Sequence, residues 1–506
     1  MKMIRTVQIS LLTCSLFAGS AAGDGPSEAE VLETLHEAIE LYQRSRFGAL
    51  VVATDPFERF ENLVGVPPML YWSENEMFDV IFNVGDEAFE AELDRVGGAG
   101  QGPPRPGELP AFVQRVHDGE RGGYDSSSCR SCHFSGGADG GGTLTQVGLF
   151  RGDGQFLSSA ILRDAPHVMG LGYIELLAQE INLQLRDYRD FTIAAAQAEG
   201  GPYTIPVRIK GMEMGVLTAT PDGEVDTSGL PGVSSDLVIR PFGHKGRHAK
   251  LTELADEAFQ IHHGLQTESR IERHREEAEV HLGDGEIQFD PDGDGVSWEG
   301  SEAQAVLMAT YMSLLGTPII RPPQNPELLL IWAEGRALFE DVGCESCHRA
   351  DLRIESYDAF LQPTVPSDWF LQFSLLEHGE DPKPRDLDFA PDENGQIVNG
   401  APLFAFTDLQ RHDMGPALAD AVPEVLPLGG GEVAPNMWLT RSLWGLADTA
   451  PYLHDGRAPT VHDAILWHGG EAEASSTAYL ELSEEEQGAL RVFLMSLTRE
   501  PNLLVE

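Results

Sequence analysis

The run Cys-x-x-Cys-His occurs twice, as Cys129-Arg-Ser-Cys132-His133 and as Cys344-Glu-Ser-Cys347-His348, and nothing else constrains this chain as strongly. Covalent attachment of haem needs two thiols placed to meet the two vinyl groups, with a histidine beside the second to ligate the iron. Three other uses compete. A structural zinc site usually draws four ligands from such pairs and from histidines. A redox-active pair belongs in a βαβ setting, and a plain disulfide has no use for the histidine. Of the five cysteines, Cys14 falls in the leader-like N-terminus and the other four make up the two runs. Two copies with no cysteine to spare predict two covalently bound haem c groups, with His133 and His348 as iron ligands.

The N-terminus has the composition of an export signal. Lys2 and Arg5 precede a largely apolar stretch over 6–17, and Ser20-Ala21-Ala22-Gly23 supplies small residues for cleavage ahead of Asp24. A lipoprotein site at Leu11-Leu12-Thr13-Cys14 is the weaker alternative, because Thr13 fits poorly before a modified cysteine. No later stretch approaches the ~20 apolar residues of a membrane span. The expectation is a periplasmic or otherwise exported protein with signal peptide 1–23 and no membrane span. The 81 acidic against 34 basic side chains, net −47, exclude nucleic acid as a partner and suit basic proteins or divalent cations. Such a charge also serves simply as a solubility or salt adaptation.

The chain divides around the two runs. Residues 24–110 form an N-terminal helical region, with apolar side chains at helical spacing over 31–42, and a Gly/Pro-rich linker over 97–110. Residues 111–285 carry the first run, a glycine-rich loop over 136–142, and helices over 166–180 and 251–259. An acidic loop and a helix over 303–315 connect through 286–320, with the proline-rich 318–326 at the seam. Residues 321–506 hold a helix over 327–339 leading into the second run, and further helices to about 498. No long alternating β pattern is expected. The fold class is therefore mainly α: two cytochrome c-like haem domains in tandem, with an N-terminal helical extension and long loops.

Two more features carry chemistry. Asp290-Pro-Asp292-Gly-Asp294-Gly-Val296-Ser-Trp-Glu299 has alternate carboxylates and turn glycines, like the first half of an EF-hand loop. Position twelve is Ser301 and the glutamates fall at Glu299 and Glu302, so the loop is not a standard EF-hand; Ca²⁺ is favoured over a solvated acidic turn. Sixteen histidines less the two in the runs leave fourteen, mostly surface residues by default. His468 ends a short helix over 461–467 that opens at Thr460 and stops at Gly469-Gly470. It serves either as an iron ligand or as a helix-end histidine stabilised by the dipole.

Three segments carry a family resemblance: Arg441-Ser-Leu-Trp-Gly-Leu, Ala450-Pro-Tyr-Leu-His454-Asp-Gly-Arg457-Ala and Ala464-Ile-Leu-Trp-His468-Gly-Gly-Glu-Ala472. With Arg163-Asp-Ala-Pro-His-Val-Met-Gly-Leu-Gly-Tyr-Ile-Glu175 and His412-Asp-Met-Gly415, they resemble the di-haem oxidoreductase family over about 111–500. More distantly the plan is similar to bacterial di-haem cytochrome c peroxidases and to the di-haem enzyme that matures methylamine dehydrogenase. The resemblance implies that the position fourteen residues beyond His454, that is His468, is the distal ligand of the second haem; Met414 is the alternative. It also implies a calcium between the haem domains.

Two departures bear on the chemistry. Methionine, the peroxidase ligand, raises a haem potential, and paired imidazoles lower it. The bridging tryptophan of those peroxidases has no counterpart, since no Trp lies between Trp72 and Trp298. At the first haem the resemblance leaves Glu175, His244, His262 and His263 as acid–base or ligand candidates. Family members often carry tryptophan where Phe242-Gly-His244 places its histidine.

The expected function is a peroxidase-like oxidoreductase. Electrons from a small, basic donor protein (a cytochrome or cupredoxin) enter at the C-terminal haem and reduce an oxidant such as hydrogen peroxide at the N-terminal one. The alternatives are a non-catalytic di-haem electron carrier and an oxygenase acting on an organic substrate.

Overall fold

The computed structural model describes residues 74–93, 99, 126–142, 148–150, 161–265, 267–269, 299–364, 370–384, 390–391, 397–398, 400–426 and 430–499. The expected leader, the helix over 31–42, nearly all of the 97–110 linker, and Asp290, Asp292, Asp294 and Val296 lie outside them.

Nine α-helices are present among the described residues. They are α1 (Glu74–Glu90), α2 (Leu171–Glu199), α3 (Leu251–His262), α4 (Glu302–Leu314), α5 (Pro326–Asp341), α6 (Leu375–His378), α7 (Val461–Leu466), α8 (Glu473–Glu481) and α9 (Glu484–Leu494). Among the described residues strands form only two- and three-stranded ladders, so helices supply the packing layers there. α4 starts on a capping box of Ser301 and Gln304 and is buried from Ala305 to Leu314 on every side, as expected of a helix enclosed by others. α1, α2 and α3 pack around it. The α1 crossing is tight at Gly85, where an added Cβ would lie 2.6 Å from Tyr311 Cβ.

A second apolar core gathers Phe339, Val342, Phe406, Val461, Tyr479, Leu490 and Phe493 around the second Cys-x-x-Cys-His run. α5 opens on Asn325, whose side chain accepts from the Glu327 and Leu328 amides, with Pro326 in the first turn. α9 opens on a Ser483–Glu486 capping box with three glutamates in its first turn, where they complement the helix dipole. The two helices touch at Gly335, where any side chain would collide with the Ala489 carbonyl. The proline-rich seam is tied down, with Ile319–Ile320 pairing antiparallel with Leu497–Thr498.

Two expectations fail. The helix expected over 166–180 begins only at Leu171, after Gly170 in the left-handed region, and runs on to Glu199. Pro166 and Gly170 keep the preceding residues out of it. A β-hairpin, unforeseen in the sequence, joins Tyr203–Ile209 to Met212–Ala219 through Lys210 and Gly211, both at positive φ (48° and 79°), as a two-residue hairpin turn requires. Pro206 in one strand, Gly215 in the other and a bulge at Val207/Arg208 blur the alternation that would have revealed it.

Candidate haem sites

The second run is delivered by α5. Gly343, at φ 84°, turns the chain into a 3₁₀ turn over Cys344–Ser346, and the His348 amide donates to the Cys344 carbonyl at 3.0 Å. His348 Nδ1 donates to the Phe406 carbonyl at 3.0 Å. Across from it, His468 Nδ1 donates to the Ala464 carbonyl at 2.8 Å, at the end of α7, which Thr460 caps. In both rings Nδ1 is thereby engaged. Their centroids stand 6.5 Å apart.

Two imidazoles facing one metal, each nitrogen about 2.0–2.1 Å from it, place their centroids roughly 6–6.5 Å apart. The His348–His468 pair therefore fits an iron held from both faces. Burial, and then His468, push His348 down to about 4, and burial lowers His468 too. The neutral form is the one that ligates metal. Gly470, at φ 55°, lets this loop lie directly on Asp413 and Gly415. An added Cβ on Gly469 would lie 3.2 Å from the Met414 carbonyl oxygen, so the Met414 backbone borders the site.

One rival metal set is present among the described residues: donor atoms of Cys347, Asp408 and His412 lie within 4.8 Å of one another. His412, however, has both ring nitrogens engaged, Nε2 with Asp408 at 2.8 Å and Nδ1 with Glu471 at 2.9 Å. Burial opposes its charge, but Asp408 and Cys347 outweigh it and raise His412 to about 11. An imidazolium strut between two carboxylates is a poor metal ligand.

At the first run a 3₁₀ turn spans Cys129–Ser131, and Arg130 ties it to Asp86 and Glu90 of α1. His133 Nδ1 lies 3.3 Å from the Gly140 carbonyl. Burial, then the charge of His262, push it down to about 4. Phe89 packs 5.8 Å from the ring. His263 Nε2 is 3.7 Å from Cys129 Sγ, and its Nδ1 meets the Ser126 carbonyl at 2.8 Å. His262 and His263 are thus gathered at the first run. Burial raises Cys129 to about 12 and Cys344 to about 11, each helped by the other cysteine of its run.

The other two candidates are engaged elsewhere. His244 donates from Nε2 to the Asp164 carbonyl at 2.8 Å, among the charges of Arg441, Arg163 and His454. Glu175, 3% exposed, accepts from the Leu251 amide at 3.1 Å and from Gln179 at 3.0 Å, capping α3. Burial, against these two hydrogen bonds, raises Glu175 to about 7. The native state then holds a proton that the unfolded chain releases near pH 4.5, so stability falls as pH rises from about 4.5 to 7, by roughly 3 kcal/mol. Urea unfolding at pH 5 and pH 8 should show that loss, and Glu175→Gln should flatten it; an unchanged pH dependence in Glu175→Gln would refute it.

Of the calcium-loop residues, Glu299 and Glu302 are described, and both are buried. Glu302 accepts from the Thr364 amide at 2.6 Å and from its hydroxyl at 2.5 Å.

Sequence reasoning gave no role to Trp438, whose indole stacks on His454 at 3.9 Å with Lys245 Nζ 3.7 Å from the ring centroid.

The paired imidazoles beside a Cys-x-x-Cys-His run are an arrangement that suits a haem iron. The family model described as di-haem oxidoreductase, putative peroxidase, matches residues 386–497, which include Phe406, His412, Met414, Arg441 and His468. The match is confined to that segment, which is similar to the family at the level that description gives. No curated protein matches the chain. A solved chain of Kuenenia stuttgartiensis hydrazine synthase pressurised with 20 bar xenon matches at 17% identity and a TM-score of 0.24. It covers 40% of this chain, which in turn spans little more than half of it, 57%; a likeness at that level carries no argument. No helix among the described residues is long and apolar enough to cross a membrane.

Proposed function

We propose that the chain is an exported di-haem c-type cytochrome working as a peroxidase-like oxidoreductase. The observation that carries this reading is the 6.5 Å separation of the His348 and His468 rings. Haem c supplies one-electron redox chemistry at both sites. His348 and His468 would hold the second haem between them and leave no place there for a substrate, so this site would serve for electron entry, at the low potential that two imidazoles confer. The first site, with His133 as proximal ligand, is where the oxidant reacts. His262 and His263 stand near enough to move a proton or to ligate.

The leader 1–23 exports the chain, residues 111–285 and 321–506 form the two haem domains, and the acidic surface receives a small basic donor. The absorption and electron paramagnetic resonance spectra of the holoprotein test this reading: one high-spin haem beside one low-spin haem is expected. Two wholly low-spin haems would support a non-catalytic carrier instead, a reading that the position of His263 against Cys129 favours.

The same proposal includes Ca²⁺ on Asp290, Asp292, Asp294, the Val296 carbonyl, Glu299 and Glu302. A ligand at 100 times its Kd adds about 2.7 kcal/mol to stability. Chelation should therefore lower Tm by several degrees, and the double substitution Asp292→Ala, Asp294→Ala should abolish the chelator's effect. A melting curve indifferent to chelator would reduce the loop to an acidic turn.

A further inference from the structure

Tyr311 of α4 stands between two carboxyl groups. Its hydroxyl lies 3.0 Å from Asp86 Oδ1 on α1 and 2.9 Å from Asp139 Oδ1 in the glycine-rich loop behind the first run. A phenol has one proton to donate, and an ionised carboxylate has none. With both aspartates charged, one contact is a hydrogen bond and the other sets a phenol lone pair against a carboxylate. Both contacts become hydrogen bonds only when one of the aspartates carries a second proton.

The surroundings select the carrier. The Asp86 side chain is 44% exposed and meets Arg130 at 3.1 Å, so it is the one that stays ionised. Asp139 is 8% exposed and Tyr311 1%, and an enclosed carboxyl favours its neutral form. Arg499, the cation from the C-terminal end, donates from Nη1 to the Gly136 and Ala138 carbonyls, both at 2.8 Å. Burial holds the Asp139 carboxyl above the ordinary range, against the Tyr311 hydrogen bond and the charges of Arg130 and Arg499, with Asp86 adding to the effect. One more carboxyl bears on the pair, Glu380, which burial and then Asp139 and Asp86 push up to about 7.

We propose that a proton on Asp139, bonded through the Tyr311 hydroxyl to Asp86, latches α1 over the first run at mildly acidic pH, and that its loss as pH rises lets α1 open. What the latch covers follows from its neighbours. Phe89 of α1 packs 5.5 Å from the Tyr311 ring and 5.8 Å from that of His133. Gly140, the residue after Asp139, offers the carbonyl that lies 3.3 Å from His133 Nδ1. Releasing α1 therefore uncovers one side of His133 and loosens the loop that orients it. The sign follows from linkage: the native carboxyl keeps a proton that the unfolded chain gives up, so the latch is complete at low pH and lost as pH rises through the raised native range. The latch is a property of the polypeptide and does not rest on the haem reading.

Hydrogen exchange of the α1 amides tests it, read by mass spectrometry on the full chain at pH 5 and pH 8 and corrected for the intrinsic pH dependence of exchange. A hydrogen bond to a charged group is worth roughly tenfold or more in an opening equilibrium, so the protection of α1 should fall by about that factor between the two conditions. Asp139→Asn should keep α1 protected at both. Its amide donates to the phenol as the protonated acid does, and asparagine tolerates the positive φ of 60° found there. Glu380 and Glu175 are unchanged in that variant, so a fall that survives in it would place the switch elsewhere and overturn the proposal. Tyr311→Phe removes the hydroxyl and keeps the ring, and should show the low protection at both pH values; it decides the matter if Asp139→Asn does not accumulate. Full protection retained in Tyr311→Phe, or equal protection of the unaltered chain at pH 5 and pH 8, would overturn the latch.

Discussion

Replacing Cys344 and Cys347 together with alanine, in a strain with haem-maturation machinery, should cut covalently bound haem from two per chain to one. The expectation follows from how each thioether is made: one thiol adds to each vinyl group, and no other cysteine follows the leader-like segment to substitute. The pyridine haemochrome absorbance per chain should halve, and the mass of the denatured chain should fall by one haem. The Cys129→Ala, Cys132→Ala pair should do the same independently. His348 and His468 remain in the first double variant and can still grip a haem, but one lost on denaturation. Two covalent haems retained after the substitution would refute the central reading. So would stoichiometric zinc in the unaltered chain, the outcome to which the cluster of Cys347, Asp408 and His412 would lead.

What the sequence discloses here is what local chemistry encodes. Thr460 places the start of α7, and the starts expected at 303 and 327 fall within a residue of those of α4 and α5, whose caps Ser301 and Asn325 satisfy amides of the first turn. The two Cys-x-x-Cys-His runs are self-contained for the same reason. His468 is the intermediate case. Its helix is legible locally, but its meaning depends on a ring 120 residues earlier in the chain, which no periodicity reports; the resemblance pointed to it, and the 6.5 Å separation gives the pairing a geometry. Glu175, an acid–base candidate in the sequence, meets the first turn of α3, where its carboxylate accepts from the Leu251 amide, a contact that no local pattern announces.

The ligand pair at the second site gives the sharpest separation of outcomes. Two neutral imidazoles produce low-spin iron at low potential. His468→Met should keep six-coordination and raise the midpoint of that haem markedly, because a thioether favours the ferrous state; axial substitution is among the largest levers on haem potential, within a span of about 0.8 V across ligand types. His468→Ala should open one face, giving high-spin iron or a water ligand, while the Nδ1 bond from His348 to the Phe406 carbonyl still orients the remaining imidazole. Met414→Ala should leave the second haem's spectrum nearly unchanged. Although the Met414 backbone borders Gly469, the ring opposite His348 is that of His468. If Met414→Ala instead removes a methionine-type signature and His468→Ala changes nothing, the ligand assignment is wrong. The second site would then be a high-potential centre of the kind found in the peroxidases, and hydrogen peroxide would become the better substrate to test first.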